Sequence, residues 1–90
     1  MIVAAIRHAV KDYGQWKAVY DTMPPTGGGA MFARVNQAVD DPNTVAVVAG
    51  FESVEAAQTF LNNPDLKSKM LEAGVIGEPR IELYEETEAI

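Results

Sequence analysis

The segment Thr44-Val-Ala-Val-Val-Ala-Gly-Phe51 is apolar at nearly every position, so as a strand it must keep both of its faces from water. That is hard to achieve in a chain of 90 residues. One layer of two helices covers a single face of a small sheet, and the other face is then expected to lie against a second copy of the chain.

A chain of this length forms one domain, residues 1–90, with a core small enough that burial by a partner subunit matters. It has no cysteine, which excludes disulfides, thiolate metal sites and a cysteine nucleophile. Seven Lys and Arg against thirteen Asp and Glu give a net charge of −6, a balance that repels a phosphate backbone or an anionic membrane surface. Met1-Ile-Val-Ala-Ala-Ile6 is apolar, but Arg7 and His8 interrupt it and no basic segment precedes it, so it reads as a strand of a cytoplasmic protein. No segment approaches the roughly 20 apolar residues of a membrane-spanning helix.

Along the chain, Ile2 to His8 reads as the first strand, and Asp12-Tyr-Gly-Gln15 follows as a capping-box-like helix start. Tyr13, Trp16, Tyr20 and Met23 recur at helical spacing as one apolar stripe. Pro24-Pro25 ends this helix, and Gly27-Gly28-Gly29 reads as a flexible connection. Met31 to Ala38 forms a second strand, joined through turn residues Asp40-Asp41-Pro42-Asn43 to the third strand in an antiparallel hairpin. Ser53 caps a helix that buries Val54, Ala57, Phe60 and Leu61, and Asn62-Asn63-Pro64 breaks it. A short helix follows, with Leu66, Met70 and Ala73 inward, Lys67 and Lys69 toward solvent, and Gly74 at its end. Pro79 to Glu85 is the last strand, with Ile81 and Leu83 on one face and Arg80, Glu82 and Tyr84 on the other. The order βαββαβ predicts an α+β, ferredoxin-like fold: a four-stranded antiparallel sheet with its helices on one face.

Candidate chemistry begins with His8, the one histidine, since imidazole exchanges protons best near neutral pH. A histidine that merely hydrogen-bonds beside the first helix is the structural alternative. Tyr13, Trp16 and Tyr20 supply flat apolar walls with polar tips suited to an aromatic ligand, although ordinary core packing explains them equally well, and Phe32, Phe51, Phe60 and Met70 carry the same two readings. Arg34 and Asn36 alternate onto one face of the second strand, where Arg34 is placed to steady an oxyanion or to pair at an interface. The triple glycine lacks the strand, helix and GK[ST] of a phosphate cradle. Asp40, Asp41, Glu85, Glu86 and Glu88 have no histidine or cysteine at ligand spacing, so no metal site is expected.

The motifs Arg7-His8-x-Val10-x-Asp12-Tyr13-x-x-Trp16-Lys17, Phe51-Glu52-Ser53 with Ala57 and Phe60, and Asn63-Pro64-Asp65-Leu66-Lys67 with Met70 and Ala73-Gly74-Val75 resemble bacterial proteins of the dimeric α+β barrel superfamily. The nearest flavour is the group of small cyclase-like and antibiotic-biosynthesis-monooxygenase-like proteins. The resemblance spans nearly the whole chain. It implies a homodimer joined through its sheet faces, with a mostly apolar pocket in each subunit between sheet and helices. Polyketide cyclases of this fold use histidine and tyrosine for proton transfer, a pairing that His8 with Tyr13 or Tyr84 resembles. Cofactor-free monooxygenases of the superfamily combine asparagine, tryptophan and arginine or histidine, types present here at Asn36, Trp16, Arg34 and His8. The haem-degrading members carry their histidine on a helix, which His8 does not match, so no cofactor is expected.

Three functions stay open at this point. One is a cofactor-free cyclase or isomerase acting on a polyketide-like or other apolar substrate, with His8 as base, Arg34 as oxyanion support, and Tyr13, Trp16, Phe51, Asn36 and Tyr84 around the ligand. A second is a cofactor-independent monooxygenase, and a third is a binding or assembly protein without a reaction.

Overall fold

A computed structural model describes residues 1–90. The chain runs β1 (Ile2–Val10), α1 (Tyr13–Tyr20), a single 3₁₀ turn (Pro25–Gly28), β2 (Phe32–Ala38), β3 (Asp41–Phe51), α2 (Val54–Leu61), α3 (Pro64–Glu72) and β4 (Val75–Glu85). The strands form one antiparallel sheet in the order β2-β3-β1-β4. This is the ferredoxin-like arrangement that the element order predicts. The two most apolar strands sit at its centre, and the more polar β2 and β4 take the edges.

Parity along β1 and β3 builds the core. Ala4, Ile6, His8 and Val10 alternate with Val45, Val47, Ala49 and Phe51 on the face toward the helices, and all eight are buried. Two clusters lie on this face, one around Phe51, Phe60, Ala57 and Leu66, the other around Ile6, Val45, Val47 and Trp16. The opposite face carries Val3, Ala5, Ala46 and Val48, none of which joins either cluster. These four are half-buried, and Phe32 lies beside them on β2 while Arg7, Arg34 and Tyr84 surround them exposed. The chain's own helices therefore cover one face of the doubly apolar strand and leave the other open.

The helix starts follow their capping residues. Asp12 Oδ2 accepts the Gln15 N–H at 2.9 Å, Ser53 Oγ accepts the Ala56 N–H at 3.1 Å, and Asn63 Oδ1 accepts the Asp65 N–H at 2.9 Å. Only half of the capping box at Asp12 forms, since no reciprocal bond runs from the Gln15 side chain. The free N–H of Tyr13 instead donates to Asn43 Oδ1 on β3 at 3.0 Å, which ties the start of α1 to the sheet.

Several boundaries differ from the sequence expectation. Helix α1 stops at Tyr20 because the following residues tighten into i→i−3 bonds, Thr22 N–H to Val19 O and Met23 N–H to Tyr20 O, ahead of Pro24. The hairpin turns over Val39 and Asp40 alone, since Asp41 is already in β3, where its carboxylate accepts from the Asn43 N–H and the Thr44 hydroxyl. Val54 is exposed, and Ala56 packs in its place. The triple glycine is no loose loop. Gly28 lies so close to the Phe60 ring that a β-carbon there would collide with it, and Gly29 closes the turn at φ +100°. Strand β4 begins four residues earlier than expected, because Val75 and Ile76 pair with Val10 and Ala9 and a bulge at Gly77 (φ +72°) joins them to the expected strand.

Candidate functional site

His8 is brought to the helix face by the same alternation that buries Ile6 and Val10. On one side it pairs with Val45 of β3, while on the other the register of β4 jumps from Ile76 opposite Ala9 to Arg80 opposite Arg7. The bulge of β4 thus lies directly alongside His8, a location where bulges commonly re-aim a functional side chain. The imidazole is 5% exposed, and neither Nδ1 nor Nε2 has a hydrogen-bond partner. Left without a partner, a buried group of this kind costs about 1–3 kcal/mol. Burial holds its pKa below the usual 6.5, because desolvation penalises the charged ring. At neutral pH the ring is therefore neutral, with one lone pair able to take a proton.

An aromatic column faces it from α1. Trp16 lies 5.5 Å from the His8 ring, Tyr20 stacks on Trp16 at 4.9 Å, and Tyr13 tilts against Trp16 at 5.9 Å. The i, i+3 and i+4 spacing of these residues produces the column. Desolvation raises the Tyr20 pKa, so its phenol stays protonated and can donate.

Between this column, the sheet and α3 lies a cavity of about 50 Å³, with His8, Trp16, Tyr20, Met23, Phe60 and Met70 among its walls. That volume holds a few waters, whereas small-molecule sites span roughly 300–1,000 Å³. A ligand must therefore push the walls apart, and Met23 and Met70, unbranched and adaptable, are the side chains best able to yield. Ten of the thirteen lining residues are hydrophobic, and Lys69 is the one charged residue among them. Lys69 keeps the solvent exposure expected of it, with 39% of its side chain accessible and a 3.4 Å pair to Glu72, and also borders the cavity, because Leu66, Lys69, Met70 and Ala73 follow the i, i+3, i+4, i+7 pattern of a single helix face.

The expected site residues separate into three places. His8 and Trp16 line the cavity together, and Tyr13 stands behind Trp16. Phe51 is fully buried against Phe60, 5.8 Å between rings, in the other core cluster and outside the cavity wall. Arg34, Asn36 and Tyr84 lie on the open face of the sheet. Arg34 pairs with Val48 and Asn36 with Ala46, the residues that alternate with inward-facing Val45 and Val47, and Tyr84 pairs with outward-facing Val3. Parity thus removes these three from a pocket built on His8 within one chain. Arg34 lies over the Phe32 ring at 4.2 Å, and Asn36 Nδ2 donates to Ala46 O at 3.2 Å. Tyr20, Phe60 and Met70, for which pocket wall and core packing are both open from the sequence, line the cavity as well, and the lining residues that sequence reasoning leaves out include Met23 and Lys69. Lys69 carries a usable signal, a charged group at a position where a helical stripe calls for an apolar one.

No three His, Cys, Asp or Glu side chains converge as metal ligands, and no helix is long and apolar enough to cross a membrane. No protein-family model matches the chain, and no curated protein matches it in sequence. Solved structures do match in three dimensions. A candidate antibiotic biosynthesis monooxygenase from Deinococcus radiodurans superposes with a TM-score of 0.79 at 15% identity, over 100% of this chain and 96% of that one. SnoaB, a cofactor-independent oxygenase from Streptomyces nogalater, gives 0.78 at 12% identity, over 99% and 95% of the two chains. A conserved protein from Methanosarcina mazei Go1 gives 0.77 at 13%, over 96% and 92%. The chain thus shares its ferredoxin-like α+β fold with solved structures described as antibiotic biosynthesis monooxygenases.

Proposed function

We propose that the chain binds a small, largely apolar organic molecule in the cavity beneath α1 and uses His8 to take a proton from it, without a resident cofactor. One observation carries this reading: a neutral imidazole, buried without a hydrogen-bond partner, in the wall of an apolar cavity. A substrate with an acidic C–H or a phenol would supply the missing partner, and Tyr20 would donate to the oxygen on which negative charge develops. The fate of the resulting carbanion or enolate divides the reading in two. Direct capture by molecular oxygen makes the protein a cofactor-independent monooxygenase, a direction supported by the fold shared with SnoaB. Attack on the substrate's own carbonyl, or reprotonation elsewhere, makes it a cyclase or isomerase, supported by the neutral His8 imidazole in a mostly apolar wall.

The test is solvent deuterium exchange into a panel of 1,3-dicarbonyl and hydroxyaromatic compounds, followed by NMR, with an oxygen electrode alongside. Exchange accelerated over buffer is expected. Oxygen uptake in step with turnover selects oxygenation, and exchange without uptake selects cyclisation or isomerisation. Absence of any accelerated exchange across the panel would return the protein to the class of binding or assembly proteins.

The same reading includes a homodimer in which the open sheet faces meet. Val3, Ala5, Ala46, Val48 and Phe32 give that face an apolar centre, and no segment of the chain covers it. Arg34, Asn36 and Tyr84 would then belong to the interface. Light scattering at micromolar concentration is expected to return twice the 9.7 kDa chain mass, and a stable monomer would count against the dimer.

A further inference from the structure

We propose that Lys69 makes the cavity selective for an apolar organic acid, with the hydrocarbon body held among the aromatic and methionine side chains and the ionised carboxylate at the Lys69 ammonium. This inference rests on the ligand-binding reading above and names the chemical class of its ligand. Three observations support it. The wall of the cavity contains one cation and no acidic residue, although the chain as a whole carries a net charge of −6. Lys69 occupies a stripe position of α3, between Leu66 and Ala73, where packing alone would place a hydrophobic residue. Its only ion pair is with Glu72 at 3.4 Å, and both partners are exposed, at 39% and 61% of the side chain. A pair of that kind contributes little and leaves ammonium donors available.

The buried His8 ring and the Tyr20 phenol supply further polar contacts in the wall for a ligand whose acid group lies at Lys69. An ionised acid gains a charge-assisted hydrogen bond from the ammonium that a neutral ligand of the same shape does not. A lysine that only lays its methylene stem over apolar surface would give no such preference.

Calorimetry with octanoate and naphthoate, each against its neutral amide, tests the assignment. Emission from Trp16, the only tryptophan and a wall residue, reports cavity occupancy by octanoate. The acids are expected to bind the parent protein about tenfold more tightly than the amides, equivalent to about 1.4 kcal/mol. Lys69→Met is expected to abolish that difference by weakening only the acids, and Lys69→Arg to retain it. Equal binding of acid and amide by the parent, or acid binding unchanged in Lys69→Met, would overturn the selectivity and leave the pocket standing. If neither acids nor amides bind or alter Trp16 emission, the selectivity and the ligand-binding reading fall together.

Discussion

His8→Leu is expected to lower turnover by about 10²–10⁴-fold, the usual contribution of a positioned general base, while making the folded protein more stable. The two effects have a common cause. The imidazole is buried with both nitrogens unpaired, a state that costs about 1–3 kcal/mol and that an apolar side chain of similar size does not incur. A residue retained against stability is one whose use lies elsewhere. The pH dependence separates this account from simple packing. Because burial holds the folded pKa below 6.5, the parent rate is expected to stay level above that value and to fall only at more acid pH, as the base becomes protonated.

Stability follows the same titration. Between the lowered folded pKa and the unfolded value near 6.5, the unfolded chain binds a proton that the folded chain does not. Stability present above 6.5 is therefore lost as pH falls through that window. The Leu variant lacks this step, so the stability gap between variant and parent widens toward acid pH. Urea melts at pH 7 and pH 5 measure it. Turnover unchanged in His8→Leu would remove the histidine from the mechanism, and a less stable variant would mean that its nitrogens are satisfied.

Phe51→Ala is expected to cost about 3–5 kcal/mol, the largest loss from any single truncation in this core. Phe51 is fully buried at the end of β3, against Phe60 and beside Ala4, Ala49 and Ala57. The surrounding alanines are too short to close over the space left behind, so the cavity term adds fully to the lost transfer energy. Since Phe51 does not line the cavity that holds His8, turnover per folded molecule is expected to stay near that of the parent. A shift of the denaturation midpoint with turnover retained is the predicted pattern. Lost ligand affinity at undiminished stability would return Phe51 to the binding site.

Much of this architecture was readable in advance because it depends on local rules. The caps at Asp12 and Ser53, the break at Asn62-Asn63-Pro64 and the alternation of β1 and β4 each depend on neighbours a few residues away. The early start of β4 was hidden because residues 75–78 pair with β1 only through a bulge at Gly77, a long-range feature that strand periodicity does not show. The packing of Gly28 was hidden for the same kind of reason. Its partner, Phe60, is distant in sequence.

The candidate site was legible in its parts and not in its assembly. His8 and Trp16 border one cavity because β1 and α1 are consecutive and pack on one another. Arg34 and Asn36 were known to share a face of β2, but which face depends on register with β3, a long-range pairing that alternation within one strand does not supply. Lys69 reads from its charge as a solvent-facing residue, which its exposure bears out, but that it also borders the cavity depends on how α3 packs against the sheet.

The sequence by itself determined the elements, their order and the excess of apolar strand surface that one layer of helices cannot cover, because propensity, capping and periodicity act over a few residues. Tertiary structure alone decided which side chains share the cavity, since register and the bulge in β4 set the face of each strand residue. It also left the His8 ring without a partner, a consequence of burial among groups that offer it no donor or acceptor.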